Sequence, residues 1–397
     1  MVPAPPSATI VGADITEIGT LGGEMTDARR INNAGQVVGL SSVASGLNHA
    51  FFWSPGTGIQ DLGTLGGPQS EAVGINSLGH VVGWSEVNSS GDTHAFLWTP
   101  GTGMQDLGTF GGTQSAAFDI NAAGQVVGYS GTSPGVHAFL LTPGSEVRDL
   151  GTLGGRASVA TGVNSVGHVV GWSYTLSGAQ HAFLWTPDEG MQDIGAFRAV
   201  AINSADQVVG DAGIGQPYRA ILWTADGGMQ DLGSLGGESS VASDINGRGQ
   251  IVGWSRTSTG AIHAFLWTPS DGMEDLYPST GFRAGNGLND SLQVVYDRVA
   301  RVIYHPKTPA EAIAGIANLV KAYVADGTLG ANASQPLTSK LDAAAQQADS
   351  GHAKAAANIL RAFVNQVDAY VKSGRLSQAA AFKLSSAAQA AIEMVGG

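Results

Sequence analysis

The sequence has no cysteine. Disulfides and thiolate metal sites are therefore excluded, and the redox compartment cannot be read from this residue type. Lysine is absent from the first 306 residues, where every basic side chain is one of 11 arginines set against 26 carboxylates; the first lysine is Lys307. A body with a net charge of −15 repels a phosphate backbone, so nucleic acid is not an expected partner. From residue 307 onward the balance is +2, which gives −13 over the 397 residues. No stretch approaches the roughly eighteen continuous apolar residues of a transmembrane helix. The opening MVPAPPSATIVG lacks the basic and apolar regions of a secretion signal, so either the protein is cytosolic or a signal has been removed. Missing too are HExxH, GxxxxGK[ST] and any GxSxG or GxGxxG that opens a helix, so no metal and no cofactor is expected.

What is present is glycine, 58 of 397 residues, in a chain whose 43% hydrophobic content suffices for a core. That combination points to many tight turns and few long helices. The glycines belong to a repeat, most complete as HAFLWTPGTGMQDLGTFGG at 94–112 with AAFDIN and QVVGYS after it. Its marker is an asparagine: Asn32, Asn76, Asn121, Asn164, Asn203, Asn246 and Asn289, spaced 39 to 45 residues apart. Such a period is a supersecondary unit.

Each unit reads as four short strands, exemplified by AVGIN (72–76), HVVGWS (80–85), HAFLWT (94–99) and MQDLGTF (104–110). All are rich in β-branched or aromatic residues and bounded by turn formers. Asn-x-x-Gly joins the first two, with the Gly accepting positive φ. Residues 15–23 supply only the end of a unit and 284–306 only the beginning of one. Two complementary halves suit a ring that closes on itself, and the expected fold is mainly β: a seven-bladed β-propeller over 15–306, its N-terminal strand closing the last blade. Ala or Gly stands four residues before each marker, so this strand is placed innermost, where only small side chains fit. Residues 1–14 are read as a lead-in. From 307 to 397 the pattern turns helical: Thr308, Pro309 and Glu311 form a capping box, and Ile359, Phe363, Val367 and Tyr370 form one stripe of a four-helix domain.

The repeated HAFLWTP, DLGTLGG and INxxGxVVG resemble the HAF family of bacterial extracellular repeats over about 15–306. LVKAYVADGTL, LTSKLDAA and ILRAFVNQVDAYVKSGRLSQAAA are similar to the FIMAH domain. The resemblance implies secretion or cell-surface display in a bacterium and brings no settled activity.

Repeated polar residues are read as scaffold. His49, His94, His137, His181 and His263 are too far apart around a ring to share an ion, and each is expected to bond a Ser85-type hydroxyl or an Asp106-type carboxylate. Trp53, Trp98, Trp185, Trp223 and Trp267 are assigned to the core between blades. Functional candidates are sought where a copy breaks the pattern: Arg30, Asp119 and Asp244 two residues before the marker; Arg198, Asp211, Tyr218 and Arg219 in the fifth unit; Arg283, Asn286 and Tyr296 in the seventh, with Asp290, Asp297 and Arg298 beside them. Two carboxylates and a guanidinium in one funnel would suit a polar ligand such as a sugar, or acid/base work on a glycosidic bond. The expected function is non-catalytic binding of an extracellular polysaccharide or protein. The alternatives are a polysaccharide lyase or glycoside hydrolase, and a structural module assembled through the tail. Whether the protein is an enzyme, and its oligomeric state, do not follow from the sequence.

Overall fold

The structure, a computed structural model, describes residues 15–304 apart from 110, 133–134, 214–216, 270, 277–283 and 297–300, then 312–313, 316–317, 320–321, 323–324 and 328–395. The lead-in, the capping box, Arg283, Asp297 and Arg298 lie outside the described residues. Two compact units are present, one of Glu17–Val302 and one carrying the residues from Ile303 on.

The first unit is built from antiparallel strands taken four at a time in chain order. The second repeat shows the plan: β6 (Ser70–Ile75), β7 (Val81–Glu86), β8 (Thr93–Thr99) and β9 (Gly103–Asp106) pair in sequence. Strand β9 stops at Asp106, short of the expected 110, because the following Leu-Gly-Thr turns away to reach the next repeat. Two groups, the third and fourth, are joined by a single parallel bridge between Val136 and Ala157, making one eight-stranded sheet. The last group is mixed in origin. Its order is β1 (Ile15–Glu17), β28 (Arg301–Tyr304), β27 (Gln293–Tyr296), β26 (Gly285–Leu288), drawing on both ends of the region as the half-units suggested. The arrangement is propeller-like.

The marker asparagine does more than start a turn. In each repeat its Oδ1 accepts the backbone N–H groups two and four residues on, as Ala123 and Gln125 do on Asn121. Its Nδ2 donates to the backbone carbonyl of the asparagine in the next repeat: Asn32 to Asn76 at 2.9 Å, Asn76 to Asn121 at 3.0 Å, Asn121 to Asn164 at 2.9 Å, Asn164 to Asn203 at 3.3 Å, Asn203 to Asn246 at 3.1 Å and Asn246 to Asn289 at 3.2 Å. Asn289 then donates to the carbonyl of Asn32 at 3.0 Å, which closes the cycle. All seven are buried. A buried amide must satisfy its donors and acceptor, and a ring of asparagines does so only when every member is present.

Further out, serines staple neighbours together. Ser70, Ser115, Ser158 and Ser240 accept the N–H of Ala50, Ala95, Ala138 and Ala220 of the preceding repeat and donate to the carbonyls of Gly63, Gly108, Gly151 and Gly233. The hydrophobic clusters lie between repeats as well. Phe52 and Leu62 of the first pack with Ala72, Phe96 and Trp98 of the second, and Trp185 and Trp267 sit in equivalent clusters. The tryptophans are core, as their recurrence suggested.

Across from the small inner residue each of six repeats carries Gly39, Gly83, Gly128, Gly171, Gly210 or Gly253. A Cβ on Gly128 would stand 1.9 Å from the carbonyl oxygen of Ala116. Backbone cannot retreat as a side chain does, so Gly128→Ala is expected to cost at least about 1–3 kcal/mol in chemical denaturation. The seventh repeat inverts the pair: Gly285 replaces the inner alanine, and its register partner is Tyr296. The Asn-x-x-Gly turn is likewise kept where glycine is not, since Asp206 and Leu292 both adopt φ 56°.

The second unit contains α1 (Ala331–Asp349), α2 (Ala353–Lys372) and α3 (Gln378–Met394), with helical positions also described between 312 and 324. Ile313, Ile316, Val320, Leu337, Leu341, Leu360, Phe363, Val367, Tyr370, Leu384 and Ile392 share its core. On α2 the buried stripe runs through Leu360, Phe363, Val367 and Tyr370. Ile359, expected in that stripe, packs at its edge, because alternating steps of three and four follow the 3.6-residue turn more closely than repeated fours.

Candidate functional site

Every inner strand carries a bulge between the residues four and two before its asparagine, as between Ala117 and Asp119. A bulge re-aims side chains. Here it leaves the residues five, three and two before the marker to line the middle of the ring, and these are the positions at which the repeats differ.

Two adjoining cavities meet at Val200. One, of about 480 Å³, is lined by Asp27, Arg29, Arg198, Ser243, Trp254 and Asn286 among others. The other, of about 320 Å³, is walled by Val73, Phe118, Tyr129, Val159, Thr161 and Trp172, with Arg30 at its base. The centre is thus polar on one side and aromatic on the other. The Phe118 and Tyr129 rings lie 5.8 Å apart, centroid to centroid, and burial raises the Tyr129 phenol above its ordinary range, so it stays a neutral donor. Arg29 is pinned by Glu71 at 2.6 Å and Asp27 at 3.3 Å.

Below these cavities, one step nearer the asparagine ring, lie Arg30, Asp119 and Asp244. Arg30 Nη1 stands 2.6 Å from Asp244 Oδ1. Asp244 accepts the N–H groups of Ile245 and of Leu288 in the next repeat, and Asp119 those of Ile120 and of Val163 in its next repeat. Each carboxylate therefore ties two inner strands. Burial raises both aspartates, the positive charge of Arg30 and the backbone N–H groups opposing it. Burial works against the Arg30 charge as well, but Asp244 and Asp119 outweigh it and hold the guanidinium above its usual pKa. Two carboxylates thus share one cation in a poorly hydrated layer.

The remaining candidates separate. Arg198 lines the larger cavity and is bound through Nε and Nη2 to one oxygen of the buried Asp211, at 3.0 and 2.8 Å. Asn286 lines it too, its amide donating to the Ala28 carbonyl at 2.8 Å. Tyr218 is half-buried, and its backbone carbonyl accepts the Ser240 N–H. Tyr296 is fully buried and belongs to the core, since the glycine opposite makes room for it. Arg219 stands outside the centre, 2.9 Å from Asp231, in the place of a histidine.

The histidines it replaces behave as scaffold. His49, His94, His137, His181 and His263 each place Nδ1 2.7–2.9 Å from Asp61, Asp106, Asp149, Asp193 and Asp275. The carboxylate is the partner, and the Ser85 type of hydroxyl instead accepts Leu65 N–H. With Asp106 44% exposed, His94→Ala is expected to cost less than about 1 kcal/mol by thermal unfolding. No group of three metal-capable side chains occurs among the described residues.

Sequence reasoning missed Asp27, Arg29, Phe118, Tyr129, Trp172 and Trp254. Their signal was variation at three positions other than the one scanned, five and three before the marker and eight after it, and nothing local reveals which strand positions a bulge turns inward.

Residues 313–393 match the family model of the FIMAH domain. No curated protein matches the chain. Among solved structures the chain is similar to TolB from Acinetobacter baumannii, at 11% identity and a TM-score of 0.45, over 63% of this chain and 65% of that one. It is similar also to a gluconolactonase from Xanthomonas campestris (12%, 0.40, 77% and 99%) and to an Aleuria aurantia lectin solved with Fucalpha1-6GlcNAc (10%, 0.34, 70% and 100%). The chain thus spans slightly under two thirds of the length of TolB.

Proposed function

We propose that the repeats, of HAF type, form a seven-bladed β-propeller that binds an extracellular ligand, glycan or protein, in its central cavities without chemical change, and that the chain is secreted or displayed by a bacterium. One observation carries the binding reading: side chains that break the repeat pattern, aromatic on one wall and guanidinium on the other, converge on a space of ligand size. Aromatic rings with a few directed polar groups suit amphipathic ligands such as sugars. The alternative of acid/base work on a glycosidic bond is less well supported, since the Asp119 and Asp244 oxygens are already engaged by backbone N–H groups that fix the inner strands.

A glycan array and a thermal-shift screen against glycans and bacterial surface proteins test the reading. At least one ligand is expected to bind, and Trp172→Ala or Trp254→Ala, according to which of the two cavities it occupies, to weaken that binding about tenfold or more. A blank screen, or binding indifferent to Trp172 and Trp254 alike, would remove the central site from consideration.

A further inference from the structure

The fifth repeat departs from its neighbours by a paired change. The residue five before the marker and its register partner on the second strand are Ala116 with Tyr129, Val159 with Trp172, and Val241 with Trp254 in three other repeats. In the fifth they are Arg198 with Asp211. Packing does not require this, because valine and tryptophan fill the same place next door. Asp211 is a side chain only 6% exposed, whereas Arg198 is 51% exposed. A carboxylate is thus held out of water solely to aim a guanidinium.

Both Arg198 contacts go to the same Asp211 oxygen through Nε and Nη2. Among the described residues Nη1 takes no partner, so a guanidinium that lines the 480 Å³ cavity keeps one donor group unused with its orientation already set. Arg29, pinned by Glu71 and Asp27, lines the same cavity, as do Ser243 and Asn286, and Trp254 supplies a flat apolar wall.

Resting on the binding function proposed above, we infer that this side of the centre takes an acidic sugar, its carboxylate gripped by Arg198 and its ring face laid against Trp254. The cavity has room for roughly one or two sugar residues. Charge and shape act together here. Guanidinium donors select a planar anion, and the indole face selects a ring with C–H groups on one side.

Isothermal titration of the full chain with a glucuronic-acid disaccharide, the matching glucose disaccharide and benzoate tests this. The acidic sugar is expected to bind at least about tenfold more tightly than the neutral one, and benzoate more weakly than either. The double substitution Arg198→Val with Asp211→Trp, which restores the pair found in the sixth repeat, is expected to keep the melting temperature and abolish the preference. Equal affinity for the two disaccharides, or a preference that survives the double substitution, overturns the carboxylate site while leaving glycan binding intact. Benzoate binding as tightly as the acidic sugar overturns the sugar. Binding of none of the three overturns the inference; the broader reading falls only if the glycan and protein screen is also blank.

Discussion

Replacing Arg30 by methionine is expected to destabilise the repeat unit by about 3–5 kcal/mol near pH 8, because it leaves two buried carboxylates without their cation. Asp244 loses a contact of 2.6 Å and Asp119 its nearest compensating charge. The loss carries its own pH signature. Both aspartates have folded pKa values raised above the unfolded ones, primarily by burial. Stability tied to their protonation is therefore fully present below the unfolded value and is lost as pH rises through the folded one. Without Arg30 the folded values climb further, so the native state of the variant takes up protons over a wider range. Chemical denaturation at about pH 5 should consequently show a smaller gap between variant and parent than at about pH 8. A gap that does not change with pH would mean that the methionine acts through packing, and the shared-cation description of Arg30, Asp119 and Asp244 would be abandoned.

Asn121→Ala is expected to cost about 3 kcal/mol or more, although it removes only a few atoms. The amide makes four hydrogen bonds: from Ala123 and Gln125 to its oxygen, and from its nitrogen to the Gln125 side chain and the Asn164 carbonyl. Truncation strands buried partners on two repeats, and each unsatisfied group carries a desolvation cost of about 1–3 kcal/mol. A control substitution at the exposed neighbouring turn residue, Ala122→Ser, should change stability by no more than about 0.5 kcal/mol. Equilibrium unfolding of the pair checks the claim. If Asn121→Ala were as mild as the Ala122 change, the closed asparagine cycle would be incidental to the ring.

These two predictions concern residues that the sequence presents very differently. Asn121 announces itself by recurring, yet recurrence alone suggested only a turn, and its bond to the following repeat is invisible in any single copy. Arg30, Asp119 and Asp244 announce themselves by breaking the pattern, and they do come together. Other departures from the pattern, at other positions, offered the same kind of signal with a different outcome: Arg219 stands in for a histidine in a surface pair, and Tyr296 fills the space that Gly285 vacates. A broken repeat marks a change of local partner, and whether the partner is core, scaffold or ligand depends on which way the strand faces.

By itself the sequence determined the strand period, the tight turns, the four-strand unit, the meeting of β1 with β28 and the helical character of the chain beyond residue 312. All of these rest on local chemistry: alternation, positive-φ glycines, apolar residues at helical spacing, and the arithmetic of two half-units. The tertiary structure alone decided that Asn289 reaches Asn32 across 257 residues, that Arg29 and Arg198 line one cavity and Phe118 the one adjoining it, and that two aspartates share one arginine. Such facts depend on the distances between repeats, and a distance exists only once every sheet has been packed against its neighbours.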